Sequence, residues 1–68
     1  MSRISEVKTS SGKLIGRIET DYSGNKTVTD AYGRLIGRYE AGRDVVTDVS
    51  GRLIIRGDAP GILFKDLI

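Results

Sequence analysis

The stretch TDAYGRLIGRYE, residues 29–40, decides how this chain is read, because near copies flank it: KTSSGKLIGRIE at 8–19 and TDVSGRLIIRGD at 47–58. Aligned on glycine, the residue least replaceable where the backbone takes a positive φ, the copies place Gly12, Gly33 and Gly51 in register. Each glycine has a valine five positions before it (Val7, Val28, Val46). Lys13-Leu14-Ile15, Arg34-Leu35-Ile36 or Arg52-Leu53-Ile54 follows it. An arginine comes next (Arg17, Arg38, Arg56) and an acid two residues later (Glu19, Glu40, Asp58). Repetition at this period points to a repeated supersecondary unit.

The unit reads as a β-hairpin. Asp-x-x-Gly is the signature of a type I turn with Asp first and Gly fourth. It occurs at Asp21–Gly24, Asp30–Gly33, Asp48–Gly51 and Asp58–Gly61, with Thr9–Gly12 a weaker version and Glu40-Ala41-Gly42-Arg43 one further turn. The marked turn glycines are Gly12, Gly33, Gly51 and Gly61. Between turns lie short runs rich in Val, Ile, Leu, Thr and Tyr. They predict an all-β antiparallel meander of seven short strands, about 3–8, 13–20, 26–29, 34–40, 44–48, 52–57 and 62–65, built from hairpin units at about 3–20, 26–40 and 44–57. Nine glycines argue against helix throughout. Residues 58–68 are left as a final strand or an apolar tail of a single small domain, 1–68.

The turn chemistry also predicts a register. A three-residue loop Ala31-Tyr32-Gly33 sets Asp30 opposite Arg34, Thr29 opposite Leu35 and Val28 opposite Ile36. The same rule pairs Val7 with Ile15 and Val46 with Ile54. One face then carries these Val/Ile pairs with Asp30, Asp48 and the Arg/acid pairs. The other carries Leu14, Gly16 and Ile18, then Leu35, Gly37 and Tyr39, then Leu53 and Ile55. Large aliphatic residues on both faces call for a second layer or another chain.

Composition narrows the function classes. The chain has 68 residues, no Cys and no His, so neither disulfides nor the usual zinc ligands supplement a thin core. Below about 70–80 residues a single core rarely suffices without such a staple or a partner. The expectation is a homo-oligomer whose interface includes Ile15, Ile36 and Ile54, or else Leu14, Leu35 and Leu53. The net charge of +2 is too small to name a partner and suits a soluble, cytoplasmic chain. No export signal or membrane span is read.

Repeated along a short chain, the phrase TDxxGRLIGR resembles that of the small bacterial β-flower proteins, which implies Asp-x-x-Gly-Arg hairpins set as petals about an axis. A lesser likeness is to the Asp-x-x-Gly-Arg-Leu repeats of YD-repeat shell proteins, but Thr29 and Thr47 stand where their tyrosine belongs. Neither resemblance carries a catalytic motif onto these positions.

Other motifs have simpler readings. Arg56-Gly57-Asp58, the adhesion tripeptide, falls where the repeat places its Arg and acid. Asp21-Tyr22-Ser23-Gly24-Asn25 spaces oxygens like the start of a calcium loop, but Lys26 occupies the position that needs glycine. Ser10, Ser11, Ser23 and Ser50 sit in turns, where Ser is expected. No enzyme activity, cofactor or metal is expected. The alternative function is binding of nucleic acid on a small β-sheet through Arg34, Arg38 and Tyr39.

Overall fold

The computed structural model describes residues 3–67. Six strands, β1 (Arg3–Lys8), β2 (Leu14–Thr20), β3 (Lys26–Asp30), β4 (Leu35–Glu40), β5 (Val45–Asp48) and β6 (Leu53–Arg56), form one antiparallel sheet in the order β1-β2-β3-β4-β5-β6. The sheet is an open meander, so β1 and β6 each have one free edge among the described residues. No α-helix is present in the described residues. The expected seventh strand at 62–65 is instead part of a 3-10 helix, Pro60–Leu67. Pro60 lacks the N–H a ladder needs, and Gly57, at φ 106°, turns the chain off β6 and over the sheet. Gly61 lies inside that helix with no positive φ, so it is not a turn glycine of the kind predicted. Ile68 lies outside the described residues, as do Met1 and Ser2.

Each of four loops closes in the same way. The N–H of Thr9, Asp21, Asp30 or Asp48 donates to the carbonyl four residues on, and the N–H of Gly12, Gly24, Gly33 or Gly51 donates back to the first residue's carbonyl. These four glycines all have φ between 84° and 91°, a region that a Cβ disfavours. The first side chain completes the loop. Asp30 Oδ1 accepts from the N–H groups of Tyr32 and Arg34, and Asp48 Oδ1 from those of Ser50 and Arg52. The remaining loop, between β4 and β5, has its positive φ at Asp44 (53°) rather than at Gly42.

The register departs from expectation at one residue in each of three hairpins. Thr29 faces Leu35 as predicted, but Val28 then faces Gly37, leaving Ile36 as an extra residue in a bulge. Likewise Val7 faces Gly16 past Ile15, and Val46 faces Ile55 past Ile54. A one-residue slip exchanges the faces of everything downstream. The valines therefore share a face with Gly16 and Ile18, Gly37 and Tyr39, and Ile55. Arg17, Arg38, Arg56, Glu19 and Glu40 lie on the opposite face, with Thr27, Thr29 and Thr47, rather than beside the valines as expected.

The valine face is covered by the chain's own C-terminus. The 3-10 helix packs on β2, β3 and β4. Phe64, 1 % exposed, forms the core with Ile15 and Val28, and Val7, Ile18, Ile36 and Leu63 pack around it. Burying one such aromatic contributes roughly 1.5–3 kcal/mol. Gly16 and Gly37 are the seats of this lid. A Cβ on Gly37 would come within 2.6 Å of Leu63 and 2.5 Å of the Thr47 carbonyl; one on Gly16 would collide with Phe64 and the Thr29 carbonyl.

Candidate functional site

The residues expected to act together are dispersed by the fold. Ile15 is buried in the core and Ile36 packs against it, so two of the three expected isoleucines are already covered. Leu14 and Leu35 are half-buried on the charged face, since their strand partners are Lys8 and Thr29. Leu53 and Ile54 differ: they are 48 % and 40 % exposed on the edge strand β6. Tyr39, expected to stack on bases, is only 8 % exposed and points away from Arg38, its neighbour along the strand. Arg34 is at a turn, its Nε 2.9 Å from Asp30 Oδ2 and its guanidinium 5.8 Å from the ring centre of Tyr32.

Tyr39 belongs instead to a structural cluster that ties Asp58, in the segment after β6, and Asp44, just before β5, to β3 and β4. Its hydroxyl donates to Asp44 Oδ1 at 2.6 Å. That hydrogen bond, with burial and the nearby charges of Asp44 and Asp58 behind it, pushes the phenol up to about 12. Lys26 Nζ lies 5.6 Å from the centre of the Tyr39 ring and donates to both oxygens of Asp58, at 2.7 and 2.8 Å. Asp58 of the adhesion-like tripeptide is thus turned back onto the sheet.

The turn carboxylates are similarly committed. The Arg34 N–H, foremost, holds Asp30 below its ordinary value, with the Arg34 side chain and the Tyr32 N–H adding to the effect against burial. The Ser50 hydroxyl, 2.6 Å from Asp48 Oδ1, is the main cause of the same shift at Asp48. In the calcium-like stretch, Asp21 Oδ1 accepts from the N–H groups of Ser23 and Asn25, and Asn25 Oδ1 accepts from the Ala41 N–H. Those oxygens close turns and join neighbouring loops. Among the described residues no group of three or more acids is placed to hold a metal ion.

Two open clefts lie between loops. One, about 630 Å³, runs between the β2–β3 and β4–β5 loops beside Asp21, Lys26, Arg38, Tyr39, Glu40 and Arg43. Glu40 and Arg43 are paired across 3.3 Å. The other, about 390 Å³, is lined by Thr9, Leu14, Ile15, Asp30, Tyr32 and Arg34 among others. On the charged face Glu6 lies 3.8 Å from both Lys8 and Arg17, so the ion pair there joins neighbouring strands. Among the described residues Arg17, Arg38 and Arg56 do not pair with Glu19, Glu40 or Asp58, the acids two residues on.

The sheet edges contrast most. β1 displays Arg3, Glu6 and Lys8, charges of the kind that guard an edge against pairing. Leu53-Ile54-Ile55 of β6 has no charge until Arg56. The departure of the third copy from Leu-Ile-Gly-Arg to Leu-Ile-Ile-Arg was the signal for this difference in the sequence.

The chain matches no family model, no curated protein and no solved structure. No helix among the described residues is long and apolar enough to cross a membrane.

Proposed function

We propose that this protein is a structural module that works as a homo-oligomer and carries out no catalysis. The carrying observation is the bare edge strand β6, where Leu53 and Ile54 stay exposed on a strand with an open backbone edge. Such an edge is a template for pairing with another chain. The lid supports the same reading: it packs on β2, β3 and β4 and leaves Ile54 and Ile55, on the same face of the sheet, to be covered by something else. Light scattering after size exclusion tests this. A mass that is a multiple of the chain mass at micromolar concentration is expected, and a monomer there overturns the reading.

A second reading rests on Tyr32, which is 86 % exposed at a hairpin tip beside the Arg34 guanidinium. Aromatic and guanidinium surfaces of this kind stack on unpaired bases. Titration with labelled single-stranded DNA and RNA at low salt tests it. Binding that Tyr32→Ala abolishes supports the reading; no binding at micromolar protein removes it.

A further inference from the structure

Resting on the oligomer reading, we propose that β6 is a two-fold contact between two copies of the chain, and that Ile55 and Lys8 bar the head-to-tail alternative. The bar follows from how the hairpins join. Between the first and second, Gly16 faces Asp30 and Arg17 faces Thr29; between the second and third, Gly37 faces Asp48 and Arg38 faces Thr47. Repeating that register beyond β6 would set Ile55 opposite the partner's Thr9 and Arg56 opposite the partner's Lys8.

Both steps fail. At each existing joint the glycine allows a close approach, since its missing Cβ would collide with the carbonyl of Thr29 or Thr47 on the next strand. Ile55 has that Cβ, and the corresponding carbonyl would be that of the partner's Lys8. The neutral threonine that faces Arg17 and Arg38 is also replaced by a lysine, which would put two cations directly opposite each other. The outgoing strand is short as well. β2 and β4 continue to Thr20 and Glu40, but β6 stops at Arg56, where Gly57 turns away and donates to the Asp44 carbonyl at 2.7 Å. Asp58, the next residue in phase, is held by Lys26.

A two-fold pairing of β6 with itself needs only the four residues Leu53–Arg56 and sets no lysine opposite Arg56. Because Ile54 is the bulge residue, Ile54 and Ile55 share a face, and an antiparallel partner sets Ile54 opposite the partner's Ile55 and Ile55 opposite the partner's Ile54. Leu53 then lies beside the partner's Arg56 on the other face. The apolar centre covers itself and no like charges face one another. The pairing is isologous and closes at two copies.

The chain has no Cys, so single cysteines report the contact cleanly. Ile54→Cys is expected to oxidise to a disulfide-linked dimer and Ile4→Cys, on the exposed β1 edge, to stay unlinked, with light scattering reading twice the chain mass for the native protein. Ile55→Gly combined with Lys8→Thr is expected to open growth, so that mass rises above two copies with concentration. Native protein larger than a dimer, or efficient linking through Ile4→Cys, overturns the two-fold contact while leaving an oligomer. A double variant whose mass stays at two copies overturns the bar. A native monomer overturns both this proposal and the reading beneath it.

Discussion

The first two hairpins and the third carry nearly the same phrase but end in different surroundings. In β2 and β4 the extra isoleucine and the glycine after it face the lid, with Phe64 over Gly16 and Leu63 over Gly37. Among the described residues no strand lies beyond β6, the lid packs on β2, β3 and β4 instead, and an isoleucine stands where the glycine would be. The glycine is thus required by two neighbours, the next strand's carbonyl and the side chain above. Where both are missing, the position takes a large apolar residue and becomes surface. A repeat unit here is defined as much by what comes after it as by its own residues.

The largest effect expected from this contrast is at the lid. Phe64→Ala removes a fully buried aromatic and is expected to destabilise by about 3–5 kcal/mol, a large part of the roughly 5–15 kcal/mol that holds most folded domains. Urea unfolding measures it, and a loss under about 1 kcal/mol would mean that the lid contributes little. Glycine positions should sharpen the contrast next. Gly37→Ala drives a methyl into the Thr47 carbonyl and Leu63 and should cost about 1–3 kcal/mol, whereas Ile55→Ala, half-exposed in the single chain, should cost roughly 1 kcal/mol or less when unfolding is read at a dilution where the chain is monomeric. Equal losses at the two positions would break the comparison.

Two titrations give smaller effects. Tyr39 prefers its neutral form in the folded chain, so its contribution is complete below the ordinary phenol value of 10.0 and is lost as pH rises through about 12. Tyr39→Phe should remove that alkaline decline from a plot of Tm against pH. The depressed carboxyl of Asp48 works in the opposite direction: its contribution is present above the ordinary value of 3.8 and is lost as pH falls through the lower folded value. Asp48→Asn should flatten the acid limb of the same plot. Thr9, which accepts the Lys13 N–H in the corresponding loop of the first hairpin, does not titrate, so Thr9→Ala should leave that limb unchanged.

The turns were legible because their chemistry is local. Asp30, Gly33 and Arg34 are bonded within five residues, and the strand ends near them fall where the signatures put them, with β1 at Arg3–Lys8 as expected. Residues 60–67 were misread because Ile62, Leu63 and Phe64 suit a strand as well as a helix turn. Their fate depends on Gly16 and Gly37, more than twenty residues away. Of the residues expected at an interface, Leu53 and Ile54 are exposed while Ile15 is core.

By itself, the sequence determined the all-β class, the hairpin joints and the positive φ of Gly12, Gly24, Gly33 and Gly51, but not that of Gly57 or the helical place of Gly61, because a turn's energy is settled among neighbours along the chain. Tertiary structure decided which face each residue occupies. The bulges at Ile15, Ile36 and Ile54 shift the register by one, and their reward is the packing of Ile15 and Ile36 around Phe64, an interaction between residues that the chain places far apart and only the folded sheet brings together.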